Sequence, residues 1–415
     1  MRTNLILRIA LATAVAFTIA ACADFGKPAP KVPPTVRARA IPNRSPQPLK
    51  PIPKAPEIAQ PAGLENDGFP ADQMVVHFID VGQGDAELLE FSCAAVLIDT
   101  GGEKTQEVDG RQNLVDYLEA FFQRRPGLAR TLKLVVLSHP HIDHTYGVGT
   151  SSAGGLLGMN PKVTVQNVVD DGDAPVGASG KVGQDDLKAS VPAAHYFGVT
   201  ADEIKTTAGL TNKIIDPVDC SANGGQDPKI TALWGRADAS AGSWTKDENN
   251  NSVVVKVEFG STSFLFMGDL EQPGIDAMLD SYSADTSIFH ADVLKVGHHG
   301  SKNGTTESLL KAVTPQIAVI GAGDSSLSHA TFSAYSFAHP NTVAIDLLLD
   351  NTFGVTEKRP SETVSVGIKG ADHKNHLPPT FKKVTLTRAI YATGWDGTVD
   401  VIAKADGTLT VQPNQ

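Results

Sequence analysis

Cysteine is scarce here: Cys22, Cys93 and Cys220 in a chain of 415 residues. None has a second cysteine or a histidine at zinc-finger spacing, which argues against a thiolate metal site. In an oxidising compartment Cys93 and Cys220 are free either to pair or to stay as two buried thiols. Long apolar runs are missing too. Residues 9–21 form an apolar run, shorter than the ~20 residues that span a bilayer comfortably. Net positive charge is carried by the N-terminal residues. Residues 1–22 carry +2 and residues 23–61 carry +5, so a total of −11 leaves −18 on residues 62–415. So acidic a body is poorly suited to wrapping nucleic acid, which needs a basic footprint. Histidine is also sparse, at 12 residues. Three of them nevertheless fall within six positions.

The chain ends set its organisation. Residues 1–22, with Arg2 and Arg8 around a short apolar core, read as an export signal. Ile19-Ala20-Ala21-Cys22 resembles the bacterial lipoprotein signal, which makes Cys22 the expected lipidation site and places the protein in a bacterial cell envelope, periplasmic or surface-exposed. Residues 27–61 contain eleven prolines and little apolar periodicity. Such a segment is an extended spacer and not a core-forming unit. Residues 23–61 are therefore a basic tether, able to touch anionic headgroups, and residues 62–415 form the folded domain.

Within that domain, short β-rich runs such as "MVVHFIDVG" and "AAVLIDTGG" end in glycine turns. Leu114, Val115, Leu118, Phe121 and Phe122 have helical spacing. A second half repeats the plan, with paired strands about Gly260-Ser261 and then "ADVLKVGHHGS", "TTESLLKAV" and "QIAVIGAG". Strands followed by helices, twice over, predict two βα layers stacked sheet on sheet. Residues 170–228, rich in Gly, Asp, Ala and Ser, read as an insertion near a pocket.

The chemistry concentrates in "LKLVVLSHPHIDHTYGV", residues 132–148. His139, His141, Asp143 and His144 follow a buried strand, and Pro140 helps fix the turn. Imidazole and carboxylate donors at this density suit zinc, manganese or iron. Two sites need further ligands, and Asp269, His298, His299 and His339 follow later strands. His77, His290, His329, His373 and His376 are read as ordinary packing or surface residues, with His329 the rival of His339.

The order His-x-His-x-Asp-His, Gly-Asp, late His resembles the metallo-β-lactamase fold. More narrowly, "FIDVGQGDA", "VLIDTGG", "NSVVVKVEFGSTSFLFMGDLE", "ADVLKVGHHGS" and "AHP" resemble the hydrolase domain of ComEC-type competence proteins and that of phosphorylcholine esterases. The resemblance implies an α/β fold, a four-layer αββα sandwich with a dinuclear site on its open edge. His139 and His141 would hold one ion, Asp143 and His144 the other, with Asp269 bridging and His339 completing the second. Asp99 would orient the ligands from behind. Asp80 and Asp85 lie in the "DVGQGD" signature, where a turn role is equally open. His299 is assigned to a metal and His298 to the substrate, the reverse also standing. The third ligand of the first ion is open among Asp170, His299 or another residue. The multi-spanning channel of competence proteins has no counterpart.

Two divalent ions, expected to be zinc with manganese or iron as alternatives, activate water and offset charge on attacking and leaving oxygens. That favours a phosphodiester substrate, with Asp143 and His298 as catalytic residues and His298 protonating the departing alkoxide. DNA is the competence-like substrate if Lys295, Lys302 and Lys311 form a basic rim. A phosphorylcholine-like headgroup fits the acidic charge better, with Trp234 and Trp244 offering a cation cage. A lactonase, a β-lactamase and a non-catalytic envelope binding module are the alternatives. Membrane contact through the N-terminal lipid is expected, and no protein partner is predictable.

Overall fold

The computed structural model describes residues 68–414 except 151–153, 173–174, 208 and 328. The expected signal, Cys22 and the tether lie outside the described residues.

The first half supplies β1 (Gln73–Phe78), β2 (Glu87–Glu90), β3 (Ala95–Ile98), β4 (Thr131–Leu132), β5 (Leu134–Val136), β6 (Thr164–Val165), β7 (Val168–Asp170) and β8 (Tyr196–Gly198). The second supplies β9 (Pro228–Trp234), β10 (Val254–Phe259), β11 (Thr262–Phe266), β12 (Val293–Lys295) and β13 (Ile317–Ile320). It continues with β14 (Lys358–Lys369), β15 (Thr380–Arg388), β16 (Ile390–Ala392), β17 (Thr398–Lys404) and β18 (Leu409–Asn414). Between them run α1 (Gly110–Arg124), α2 (Ile142–Thr145), α3 (Lys181–Ala189), α4 (Ala201–Thr207) and α5 (Gln272–Ser281). Then come α6 (Glu307–Val313), α7 (Ala334–Phe337), α8 (Thr342–Leu348) and α9 (Thr393–Asp396).

One sheet has eight strands in the order β18-β17-β1-β2-β3-β5-β7-β8, and the other six, β16-β13-β12-β11-β10-β9. Alternation along the strands explains the layers. Leu134 and Val136 of β5 join the core between the sheets, while Val135 and the following Leu137 face Leu114, Leu118, Phe121 and Phe122 of α1. Val96 and Ile98 of β3 divide from Ala95 and Leu97 in the same way. Opposite, Ile275 and Met278 of α5 and Leu309, Leu310 and Val313 of α6 pack with the six-stranded sheet. The result is helix, sheet, sheet, helix. Each such Leu, Val or Phe contributes about 1.5–3 kcal/mol when fully buried. Among the described residues, the buried residues of both cores fall between Met74 and Ala403, all within residues 62–415.

Local signals start the helices where expected. Asp109 caps α1 by accepting from Gln112 N, and Thr306 caps α6 by accepting from Leu309 N. Residues 170–228, expected as an insertion, hold regular structure of their own. β7 and β8 pair in parallel and extend the eight-stranded sheet, with α3 between them. Strands of three residues in a Gly/Asp/Ser-rich stretch are too short to show a period. Cys93 and Cys220 form a disulfide. Among the described residues no helix is long and apolar enough to cross a membrane.

Candidate metal centre

The site follows from strand direction. β3, β5 and β7 are parallel in one sheet, as are β11, β12 and β13 in the other. Their carboxyl ends therefore deliver loops to common edges, where open α/β sheets bind ligands. Asp99 follows β3, His139 follows β5, Asp269 follows β11, and His298 and His299 follow β12. Asp99, His298 and His299 have φ of +54°, +50° and +53°, a left-handed conformation costing roughly 1–2 kcal/mol per non-glycine residue. Strain of this kind collects at functional sites. Two glycines explain the signature turns. A Cβ on Gly84 would stand 2.4 Å from Asp143 O, and one on Gly102 2.3 Å from Asp143 Cα. Both turns press on the backbone of the histidine motif.

The side chains converge with a consistent polarity. His144 Nδ1 donates to Asp99 Oδ2 at 2.8 Å, leaving Nε2 facing Asp269 Oδ2 at 3.2 Å. His299 Nδ1 donates to Gly321 O at 2.7 Å, leaving Nε2 at 3.1 Å from Asp143 Oδ2 and 3.2 Å from Asp269 Oδ2. His139 lies ring to ring with His144 (4.3 Å between centroids) and His141 (4.6 Å). His139 Nε2, His144 Nε2 and Asp269 Oδ1 are buried without a hydrogen-bond partner. Buried polar atoms are rarely orphaned, and imidazole Nε2 with carboxylate oxygen is the donor set a divalent ion takes. These residues fit divalent metal.

Asp85 belongs to the same cluster, its ligand atom lying within 4.8 Å of those of His144, Asp269 and His299. It sits, however, on the Nδ1 side of both imidazoles, 3.3 Å from His299 Nδ1 and 3.9 Å from His144 Nδ1. Its other partner is the buried Lys295, at 2.5 Å. Asp85 therefore backs the ligands. Asp80 does not reach them: Gly82 N donates to its carboxylate at 3.1 Å, closing its own turn.

The electrostatics follow from this packing. Burial raises the Asp143 and Asp269 carboxyls, yet His299 and His144 outweigh it and hold both below the usual carboxylate range. Burial lowers His139 and His339, and neighbouring imidazoles push the same way, so both stay neutral. Neutral imidazole is the ligand form.

His299 lies directly beside Asp143 and Asp269, and His339, also expected as a ligand, has its own buried Nδ1 without a hydrogen-bond partner. His339 stands one ring further out, with centroids 5.9 Å from His298 and 6.1 Å from His299. His298 is the more open of the pair, its side chain 19% exposed against 1% for His299, and its Nδ1 lies 3.3 Å from Glu271 Oε1. Asp170 is engaged by Tyr196 and by Gly172 N, and His195 by Asn167. His329 packs on Tyr335. Lys295 is no basic rim, since it is buried against Asp85, and Lys311 pairs with Glu307. Trp234 is 1% exposed in the core, which rules it out of a cation cage. Sequence reasoning missed the Lys295–Asp85 pair and Glu271. The signal for Glu271 was its position two residues after Asp269 on one turn.

Comparison with known proteins places this arrangement. Residues 79–151 and 239–324 match the family described as the Metallo-beta-lactamase superfamily. The chain carries a metallo-beta-lactamase superfamily domain. Members of this superfamily are generally metal-dependent hydrolases, and its matched segments hold the histidine motif, Asp269 and His298-His299. The domain is 27% identical over 307 residues to ComE operon protein 3 of Bacillus subtilis, covering 71% of this chain and 33% of that protein. It is 27% identical over 254 residues to Recombination protein 2 of Haemophilus influenzae, covering 60% and 24%. The chain thus spans a third or less of the length of these relatives. Among solved structures, the metallo-beta-lactamase fold protein YhfI of Bacillus subtilis aligns over 60% of this chain and 85% of its own, at 16% identity and a TM-score of 0.33.

Proposed function

We propose that this domain is an exported, lipid-anchored phosphodiesterase that works with two divalent ions, zinc in the first instance. The observation that carries the reading is Asp269 between His144 and His299, with unpartnered His139 Nε2, His144 Nε2 and Asp269 Oδ1 around it. His139 and His141 would hold one ion and Asp143, His144 and His299 the other, with Asp269 placed within reach of both sets. When bound, the pair supplies an activated water and offsets charge on the phosphoryl oxygens. Asp99 and Gly321 O fix the Nδ1 protons, so both Nε2 lone pairs stay directed at the ions. His298 is oriented by Glu271 and only partly exposed, with its pKa raised: burial lowers it, but Asp269 and Glu271 outweigh that. It carries a proton to the departing alkoxide. Export and anchoring rest on the sequence of residues 1–22 alone.

The test is hydrolysis of bis-p-nitrophenyl phosphate by residues 62–415 loaded with zinc or manganese, beside Asp269→Ala. Loss of this carboxylate should lower kcat by about a hundred- to a thousandfold, in the range of removing an essential transition-state stabiliser. Turnover by the variant within tenfold of the parent would refute the assignment.

A further inference from the structure

We propose that the edge built from the 327–343 segment and the β14–β15 ribbon docks on an anionic lipid surface. Two independent features of the surface meet there, and neither involves the metal ligands.

The first is apolar exposure. Seven large hydrophobic side chains are exposed among the described residues, and five are Leu327 (56%), Phe337 (38%), Val343 (46%), Ile368 (51%) and Leu377 (51%). They lie on segments that touch. Ala371 N donates to Ser336 O, Gly367 N donates to Pro340 O, and Asn341 bridges to Gly367. A cleft of about 320 Å³ opens between the segments, lined by His329, Tyr335, His373, His376 and Leu377 among others. Clustered apolar exposure on a folded body marks an interaction site, whereas scattered single residues do not.

The second is charge. Residues 358–388 hold seven Lys or Arg against Glu362 and Asp372, a net of +5 within a body of −18. Arg359 and Arg388 are engaged internally. Lys369, Lys374 and Lys383 are exposed and form no salt bridge among the described residues. Ile368 and Lys369 are adjacent, and Lys374 precedes Leu377 by three residues. Aliphatic anchors interleaved with lysines match the interface of a negatively charged bilayer.

Nucleic acid is the other polyanion this charge could meet. Its bases bind by stacking on flat rings; here the rings of Tyr335, His373 and His376 line the cleft, while four of the five exposed large hydrophobic side chains are aliphatic. Lipid suits them better. Phe337 packs against His339 at 5.6 Å, so docking on this face would bring the edge of the metal centre to the membrane. The proposal does not depend on the hydrolase reading, because its test measures partition.

Residues 62–415 are floated with phosphatidylcholine vesicles with and without phosphatidylglycerol, and titrated separately with a single-stranded oligonucleotide. The parent should bind only the phosphatidylglycerol vesicles, less so at high salt. A surface lysine is worth roughly fivefold in partition, so Lys369→Glu with Lys374→Glu should weaken binding about thirtyfold or more. Ile368→Ser with Leu377→Ser should weaken it at least tenfold, with the unfolding midpoint unchanged because both side chains are half exposed. Absence of vesicle binding, or binding indifferent to both double variants, overturns the proposal. Oligonucleotide binding lost in the lysine variant, with vesicles ignored, overturns it as well and assigns the face to nucleic acid.

Discussion

Replacing Asp99 by asparagine should unmake the metal centre without removing a ligand. Asp99 is 1% exposed and accepts three hydrogen bonds, from Ser138 N at 2.7 Å, Ser138 Oγ at 2.8 Å and His144 Nδ1 at 2.8 Å. An amide keeps one oxygen and turns the other position into a donor. If the NH2 replaces Oδ1, it meets the Ser138 N–H; if it replaces Oδ2, it meets the Nδ1–H of His144. The first leaves a buried donor unpaired, at about 1–3 kcal/mol. The second is relieved only if His144 moves its proton to Nε2, the nitrogen directed at Asp269. Since 1.4 kcal/mol is a factor of ten, either route agrees with the 10–100-fold loss of metal affinity typical when such a backing carboxylate is changed. The assay is competition of residues 62–415 with a chromophoric zinc chelator, read beside kcat and KM. Affinity should fall by about 10–100-fold, with kcat at saturating metal falling less. Equal zinc affinity in parent and variant would refute the orienting role.

Two further predictions concern stability. The Cys93–Cys220 disulfide closes a separation of 127 residues, worth about 5 kcal/mol in the chain-entropy account. Reduction, or Cys93→Ala with Cys220→Ala, should lower the urea midpoint accordingly, and an unchanged midpoint would show that the bond constrains nothing. His77 is raised from 6.5 to about 9, burial opposing but Asp400 and Glu90 outweighing it. A raised histidine stabilises fully below 6.5 and loses that contribution as pH climbs through 9, so about 3 kcal/mol should disappear across this window. Unfolding free energy measured from pH 6 to 10 should show the decline in the parent and not in His77→Gln.

Much of the centre was legible because its ligands sit next to one another in the chain. His139, His141, Asp143 and His144 declared themselves by density, and Asp269 and His298-His299 by their position after apolar strands. The layers were legible because β3 and β5 alternate between two cores and α1 repeats at helical spacing. Other features left little trace. β7 and β8, at three residues each, are too short to display a period. Lys295 looked like any strand-end lysine, although it lies buried against Asp85, 210 residues away in the chain. Trp234 looked available to a ligand and is core.

The sequence alone therefore determined which chemistry is available: nitrogen and oxygen donors in the right number, on strand ends, in an acidic body. Tertiary structure decided which donor faces which. The placement of His299 beside Asp143, and of Asp85 and not Asp80 behind the imidazoles, depends on how two sheets from distant halves of the chain bring their parallel strand ends together. Local composition encodes the type of a side chain; only packing fixes the direction of its lone pairs.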